Sequence, residues 1–177
     1  MDVPTNQITK LSEDSGSDTV YFPEVFSSDK TKLLVTAYKN RNSVGIFNIQ
    51  TKKVLILSGD ISAYPIAFSK DESEVLYNSE DKLYLVNTDG TNNRVILEGY
   101  VIGYNCIGFT EDGNSIIFSA LKMGTQNIYK INKDGSNLVS ITNDSSYNFV
   151  NDVSTDGKSI LYFSDKNSNN YLHMNVF

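Results

Sequence analysis

Four tyrosines stand near the start of strand-like runs, Tyr21, Tyr64, Tyr104 and Tyr147. A tyrosine offers an apolar ring and a polar tip, so a set of them around a cavity mouth can stack on a sugar or anchor a peptide. Repetition alone also accounts for them, as packing between repeated units. Glu24, Asn105, Asn151 and Asp152 are different, because they break an otherwise apolar pattern. A repeating fold does not explain residues that depart from its repeat, so these are the better candidates for touching a ligand. Glu24 and Asp152 are also the two carboxylates placed for paired-carboxylate chemistry of the glycosidase type.

Nucleophilic and metal chemistry are poorly supplied. A base-assisted nucleophile needs a histidine held in a pocket beside it. The single histidine, His173, aligns with Lys130 of the preceding repeat, a solvated position. One histidine and one cysteine fall short of a zinc ligand set. Cys106 reads as a small buried hydrophobe, and with no second cysteine no intramolecular disulfide forms. No metal and no cofactor is expected.

The overall charge narrows the partners. The chain carries a net charge of −6 and no cluster of lysine or arginine. Nucleic acids and anionic membrane surfaces require such a patch. No apolar stretch is long enough to insert in a membrane as a helix. Residues Met1 to Asn6 show neither the basic nor the apolar region of a signal peptide. Hydrophobic residues make up 40% of the 177, enough for one folded core and unlike a disordered chain.

The elements that position these residues follow from a repeat. A hydrophobic residue, a hydroxyl and, two positions on, an aspartate recur at Phe26-Ser27-Ser28-Asp29, Phe68-Ser69-Lys70-Asp71, Phe109-Thr110-Glu111-Asp112 and Val153-Ser154-Thr155-Asp156. Successive aspartates lie 42, 41 and 44 residues apart, and a second landmark, Asn48, Asn87, Asn132 and Asn175, steps by 39, 45 and 43. Within each repeat, runs of about five Val, Ile, Leu, Phe and Tyr are bounded by Gly, Asn, Asp and Ser, the pattern of strands rather than helices. In the third repeat the expected strands are Cys106–Phe109, Ser115–Ser119, Asn127–Ile131 and Leu138–Thr142.

The recurring aspartates have a structural reading. Each accepts hydrogen bonds from backbone N–H groups of its own turn. The turns Asn87–Gly90 and Asn132–Gly135 faintly suggest calcium loops. They lack the alternating oxygen ligands and the later bidentate carboxylate, so they read as hairpin turns with glycine at a positive φ.

A repeat of roughly 40 residues with four antiparallel strands is the size of one propeller blade. The expectation is a single all-β propeller domain over residues 1–177. Its four blades span about 20–58, 63–98, 104–142, and 147–177 plus 7–11. In that reading the strand Gln7–Leu11 pairs with Tyr171–Val176 and closes the ring. The alternative is a piece of a larger propeller.

These motifs resemble the TolB-type propeller repeat. That blade reads Pro-x-Trp-Ser-Pro-Asp-Gly, an apolar strand, Ile-Tyr, an x-Asp-Gly turn, and a strand ending Leu-Thr. The third repeat follows it at Asp112-Gly113, Ile128-Tyr129, Asp134-Gly135 and Ile141-Thr142, and Pro23 and Pro65 match the leading proline. Tryptophan is missing throughout, and Lys30 and Glu72 stand where glycine follows the aspartate. The resemblance implies a periplasmic, secreted or cell-surface module that binds proteins or ligands. Similar propellers cover the active sites of prolyl-oligopeptidase-like hydrolases, but the expected hydrolase domain has no counterpart in this sequence. The function expected is therefore a monomeric, non-catalytic module engaging a protein or peptide through one face of the propeller. A carbohydrate-binding or glycan-acting propeller is the alternative.

Overall fold

The computed structural model describes residues 18–59, 62–154, 158–166 and 171–176; within them, residues 104–107 and 171–176 are described by backbone alone. Fifteen strands form four antiparallel sheets in chain order, with no α-helix among the described residues. Sheet 1 comprises β1 (Val20–Phe26), β2 (Lys32–Tyr38), β3 (Asn42–Asn48) and β4 (Lys53–Ile56). Sheet 2 comprises β5 (Ala63–Phe68), β6 (Glu74–Ser79), β7 (Lys82–Asn87) and β8 (Arg94–Glu98). Sheet 3 comprises β9 (Val101–Phe109), β10 (Ser115–Lys122), β11 (Thr125–Asn132) and β12 (Val139–Ser140). Sheet 4 comprises β13 (Asn148–Val153), β14 (Ser159–Ser164) and β15 (Tyr171–Val176). The strand expected over residues 7–11, and the turn at Asp156, lie outside the described residues.

Each sheet packs on the next. The first strand of sheets 2, 3 and 4 leans on strands of the preceding sheet. Sheets 1 and 2 bury Leu34, Val44, Ile46, Val75, Tyr77 and Val86 between them. Sheets 2 and 3 bury a larger cluster that includes Leu76, Leu83, Leu85, Ile116, Phe118 and Ile131. Ile117, Ile128, Val150 and Ile160 join sheets 3 and 4. Strands β2, β6 and β10 are buried on both faces. This is why Leu33-Leu34-Val35, Val75-Leu76-Tyr77 and Ile116-Ile117-Phe118 read as continuous apolar runs instead of alternating ones.

The repeated turns behave as their chemistry dictates. Asp29 Oδ1 accepts from Ser27 Oγ at 2.7 Å and from the backbone N–H of Thr31 at 2.9 Å. Asp71 accepts from Ser69 Oγ at 2.7 Å and Ser73 N at 3.1 Å, and Asp112 from Thr110 Oγ1 at 2.6 Å and Asn114 N at 3.1 Å. Lys30 and Glu72 hold φ at 58° and 55°, close to the 70° of Gly113, so the turn keeps its shape without glycine. Asp89 and Asp134 bond to Thr91 and Ser136 within their hairpins, as expected of turns.

The outer strand of sheet 3 is shorter than its apolar run. Beyond Ser140 the backbone N–H of Ile141 still donates to Ile128 O at 2.8 Å, but Ile128 N turns to a side chain and donates to Thr142 Oγ1 at 2.9 Å. Sheet 1 ends in the same way, with Val44 N donating to Ser58 Oγ at 2.8 Å. A hydroxyl placed after the strand thus satisfies a buried donor that the backbone no longer reaches.

Candidate functional site

The site grows out of an irregularity in the inner strands. In β1, Pro23 pairs with Val35 and Val25 with Leu34, which leaves Glu24 unpaired between them. The same extra residue occurs in β5 at Ile66, in β9 at Ile107 and in β13 at Asn151. All four stand two residues before the landmark Phe26, Phe68, Phe109 or Val153. An unpaired residue of this kind bends the strand and re-aims a side chain. Ile66 and Ile107 are apolar, whereas Glu24 and Asn151 are polar and exposed.

Beside Glu24 a groove opens. A cavity of about 550 Å³ is walled by Phe22, Glu24, Thr36, Asn42, Tyr64, Ile66, Asn78 and Gly103. A cavity of about 420 Å³ adjoins it, walled by Tyr64, Asn78, Glu80, Val101, Ile102 and Gly103. Tyr64, Asn78 and Gly103 belong to both, so the two are continuous along the inner ends of sheets 1 to 3. Thr36 Oγ1 donates to Glu24 Oε1 at 2.9 Å and orients the carboxylate. Asn78, opposite Tyr64 in the sheet, spends one amide hydrogen on Ile102 O at 3.4 Å. The described walls carry two carboxylates and no lysine or arginine, so the groove presents a negative field to a ligand.

Of the residues singled out in the sequence, Glu24 and Tyr64 come together in this groove. Tyr21 lies on the other face of sheet 1, in a separate cavity of about 790 Å³ that also includes Lys39, Arg41 and Ile56. Tyr147 is exposed, and its backbone N–H donates to Asp165 Oδ1 at 2.7 Å. Asn151 and Asp152 are exposed on β13, where Asp152 Oδ1 accepts from Val153 N at 2.8 Å. Tyr104 and Asn105 lie in the stretch of β9, residues 104–107, that is described by backbone alone.

Two contributors escaped sequence reasoning. Phe22 is half exposed on the groove and stands four residues before Phe26, as Tyr64 does before Phe68. Aligning aromatics rather than tyrosines alone would have found it. Glu80 sits in the β6–β7 turn at φ 53°, and nothing in the repeat marks it.

A family model for the TolB beta propeller domain matches residues 1–176. The chain belongs to that family. Its four stacked sheets are thus blades of a TolB-family propeller fold. Solved structures agree on the fold at low sequence identity. TolB from Acinetobacter baumannii superposes with a TM-score of 0.63 at 19% identity, covering 93% of this chain and 40% of that one. The putative TolB from Agrobacterium tumefaciens gives 0.65 at 16%, covering 78% and 52%. An oligogalacturonate lyase from Vibrio parahaemolyticus gives 0.68 at 14%, covering 89% and 52%. The chain therefore spans about half or less of the length of these solved relatives. No curated protein matches the sequence. TolB proteins and a lyase share this fold, so the fold alone does not choose a function.

Proposed function

We propose that this TolB-family propeller is a non-catalytic binding module that takes an extended segment of a partner protein into the groove between its first three blades. The observation that carries this reading is the groove itself. Phe22 and Tyr64 offer aromatic faces, and Glu24, Asn42 and Asn78 offer polar groups at its walls. That mixture suits a peptide, whose side chains need apolar area and whose backbone needs hydrogen bonds. The module works outside the cytoplasm as a monomer of four blades; family membership supports the location and the stacked sheets support the blade count.

A glycan is the second reading, because aromatic rings beside carboxylates also suit sugars. The named substrate of the Vibrio relative is an anionic sugar. Two glutamates with no cationic partner among the described walls disfavour an anionic glycan here, so a neutral one is the form this reading takes.

Panning a random peptide display library against the full chain tests the first reading, with Phe22→Ala and Tyr64→Ala as counter-screens. Enrichment of peptides that the variants fail to hold supports it. Enrichment that both variants retain places the binding surface elsewhere, and binding of neutral oligosaccharides alone favours the second reading. Sedimentation of the full chain tests the ring, where a dimer would exclude a closed monomer.

A further inference from the structure

A cavity of about 370 Å³ lies between the outer strands of sheet 1 and the β7–β8 turn of sheet 2, walled by Lys32, Ile46, Asn48, Lys53, Leu55 and Thr88. Lys32 pairs with Asn48 and Asn48 with Lys53, so the three stand side by side on one face of sheet 1. Neither lysine forms an ion pair with a described residue. Asp29, whose charge Lys32 favours at longer range, spends its oxygens on Ser27 and Thr31.

The same place in the next seam is built around a carboxylate. Glu74 is the counterpart of Lys32, since each opens the second strand of its sheet opposite an asparagine, Asn87 or Asn48. Arg94, opposite Leu85, is the counterpart of Leu55, opposite Ile46. Lys133 follows Asn132 as Thr88 follows Asn87. Between sheets 2 and 3, Arg94 and Lys133 therefore converge on the Glu74 carboxylate. Between sheets 1 and 2 a lysine replaces that carboxylate and a second lysine stands beside it, with no acid among the described walls.

An independent feature is the amide of Asn48. Asn87 Nδ2 donates to Thr91 Oγ1 at 2.9 Å, and Asn132 Nδ2 to Ser136 Oγ at 3.0 Å. Lys52 stands where that hydroxyl residue would be, and no described residue accepts from the Asn48 amide. Asn48 Oδ1 accepts from the backbone N–H groups of Gln50 and Thr51 at 3.0 and 2.8 Å, which orients the amide and leaves its donors unspent. Two ammonium groups and a fixed amide thus offer donors on one face, beside the apolar Ile46 and Leu55.

We infer that this cavity is a binding site for a carboxylate with a short apolar body, whose oxygens pair with Lys32 and Lys53 and accept from Asn48 while the body lies on Ile46 and Leu55. A carboxylate there takes the part that Glu74 plays within the chain at the next seam, so its binding should also fasten sheet 1 to sheet 2. The cavity is of small-molecule size, and the acid it takes is a free one. It shares no wall residue with the peptide groove, so the two readings stand or fall separately.

The test is an NMR titration of the full chain with 4-methylpentanoate, its neutral amide, acetate, inorganic phosphate and the tripeptide acetyl-Ala-Ala-Leu with a free carboxylate. The 4-methylpentanoate is expected to bind at least about tenfold tighter than its amide, acetate or phosphate. Its affinity should fall several-fold from low to high salt. Lys32→Gln should weaken it about tenfold and Lys53→Gln several-fold, and Lys32→Glu should abolish binding by supplying the carboxylate from the chain. Saturating 4-methylpentanoate should raise the urea midpoint of the wild type and leave that of Lys32→Glu unchanged.

Binding of the amide as tight as that of the acid, or binding that Lys32→Gln and Lys53→Gln together leave unchanged, overturns the inference. Acetate or phosphate binding as tightly as 4-methylpentanoate overturns the apolar part and leaves only an attraction of lysines for anions. Binding of the tripeptide tighter than that of 4-methylpentanoate overturns the free acid in favour of a chain terminus. Circular dichroism of each variant separates lost binding from lost fold.

Discussion

The seam between blades 2 and 3 is closed, and the mouth between blades 1 and 2 is open, although the same strand geometry repeats at both. At the seam Gly108 adopts φ +102° and approaches Ala67 so closely that an added Cβ would lie 2.9 Å from the alanine's own. Glu74, 6% exposed, is gripped there by Arg94 Nη1 at 2.8 Å and by Lys133 Nζ, from the neighbouring blade, at 2.5 Å. Both cations stand at contact distance from the carboxylate, so the grip ties the two sheets by charge. At the mouth the position equivalent to Gly108 is Val25, and the unpaired residue is Glu24 instead of an isoleucine. Phe22 remains 50% exposed beside it. One backbone irregularity therefore serves two ends. An apolar residue at the unpaired position with a small one after it lets blades close, and a charged residue with a larger one after it leaves a groove.

The comparison breaks first at Gly108. Gly108→Ala should cost roughly 2–4 kcal/mol in urea unfolding, from the positive φ together with the contact to Ala67. Ala67→Gly in the same chain should recover the contact portion and leave the backbone portion. Recovery of the whole loss would mean the backbone there is unstrained.

Glu74→Gln comes next. Burial works against the charged form of Glu74, but Lys133 and Arg94 outweigh it and hold its carboxyl below the usual range. Loss of the carboxylate should cost about 2 kcal/mol, less than for a fully buried pair because both cations are about a third exposed. A cost near zero would show that blade packing alone holds the seam.

Acid should loosen the repeated turns together. Hydrogen bonds from the Ser27 hydroxyl, then from Thr31, hold Asp29 down to about 2, and Ser69 and Ser73 hold Asp71 lower still. The folded values lie below the unfolded ones. Their stabilisation is therefore complete above about pH 4 and is lost as pH falls toward 2. The urea midpoint should drop across that window, and Asp71→Asn should flatten the drop. A midpoint indifferent to pH between 4 and 2 would contradict this account.

The smallest effects separate turn strain from blade contact. Lys30→Gly should stabilise by roughly 0.5–1 kcal/mol, since Lys30 holds a positive φ. Glu72→Gly should gain less, because Glu72 Oε1 accepts from Ser28 N of the neighbouring blade at 2.5 Å. Phe22→Ala should leave the midpoint unchanged within about 0.5 kcal/mol, as an exposed side chain kept for binding would. A large loss would instead make Phe22 part of the packing.

The sequence by itself determined the all-β class, the spacing of the inner strands and the turn chemistry. Each rests on local patterns: apolar runs of strand length, hydroxyl-x-aspartate turns and Asp-Gly hairpins. It also marked Glu24, because a carboxylate broke the apolar repeat. Tertiary structure alone decided which aromatics share a site with it. Tyr21 precedes its landmark Phe26 by five residues and Tyr64 precedes Phe68 by four. Side chains alternate faces along a strand, so that one-residue difference sends the two tyrosines to different cavities. Phe22, at Tyr64's offset, takes the place beside Glu24. Glu80 joins the same groove from a turn distant in the chain, through sheet stacking that no local pattern encodes.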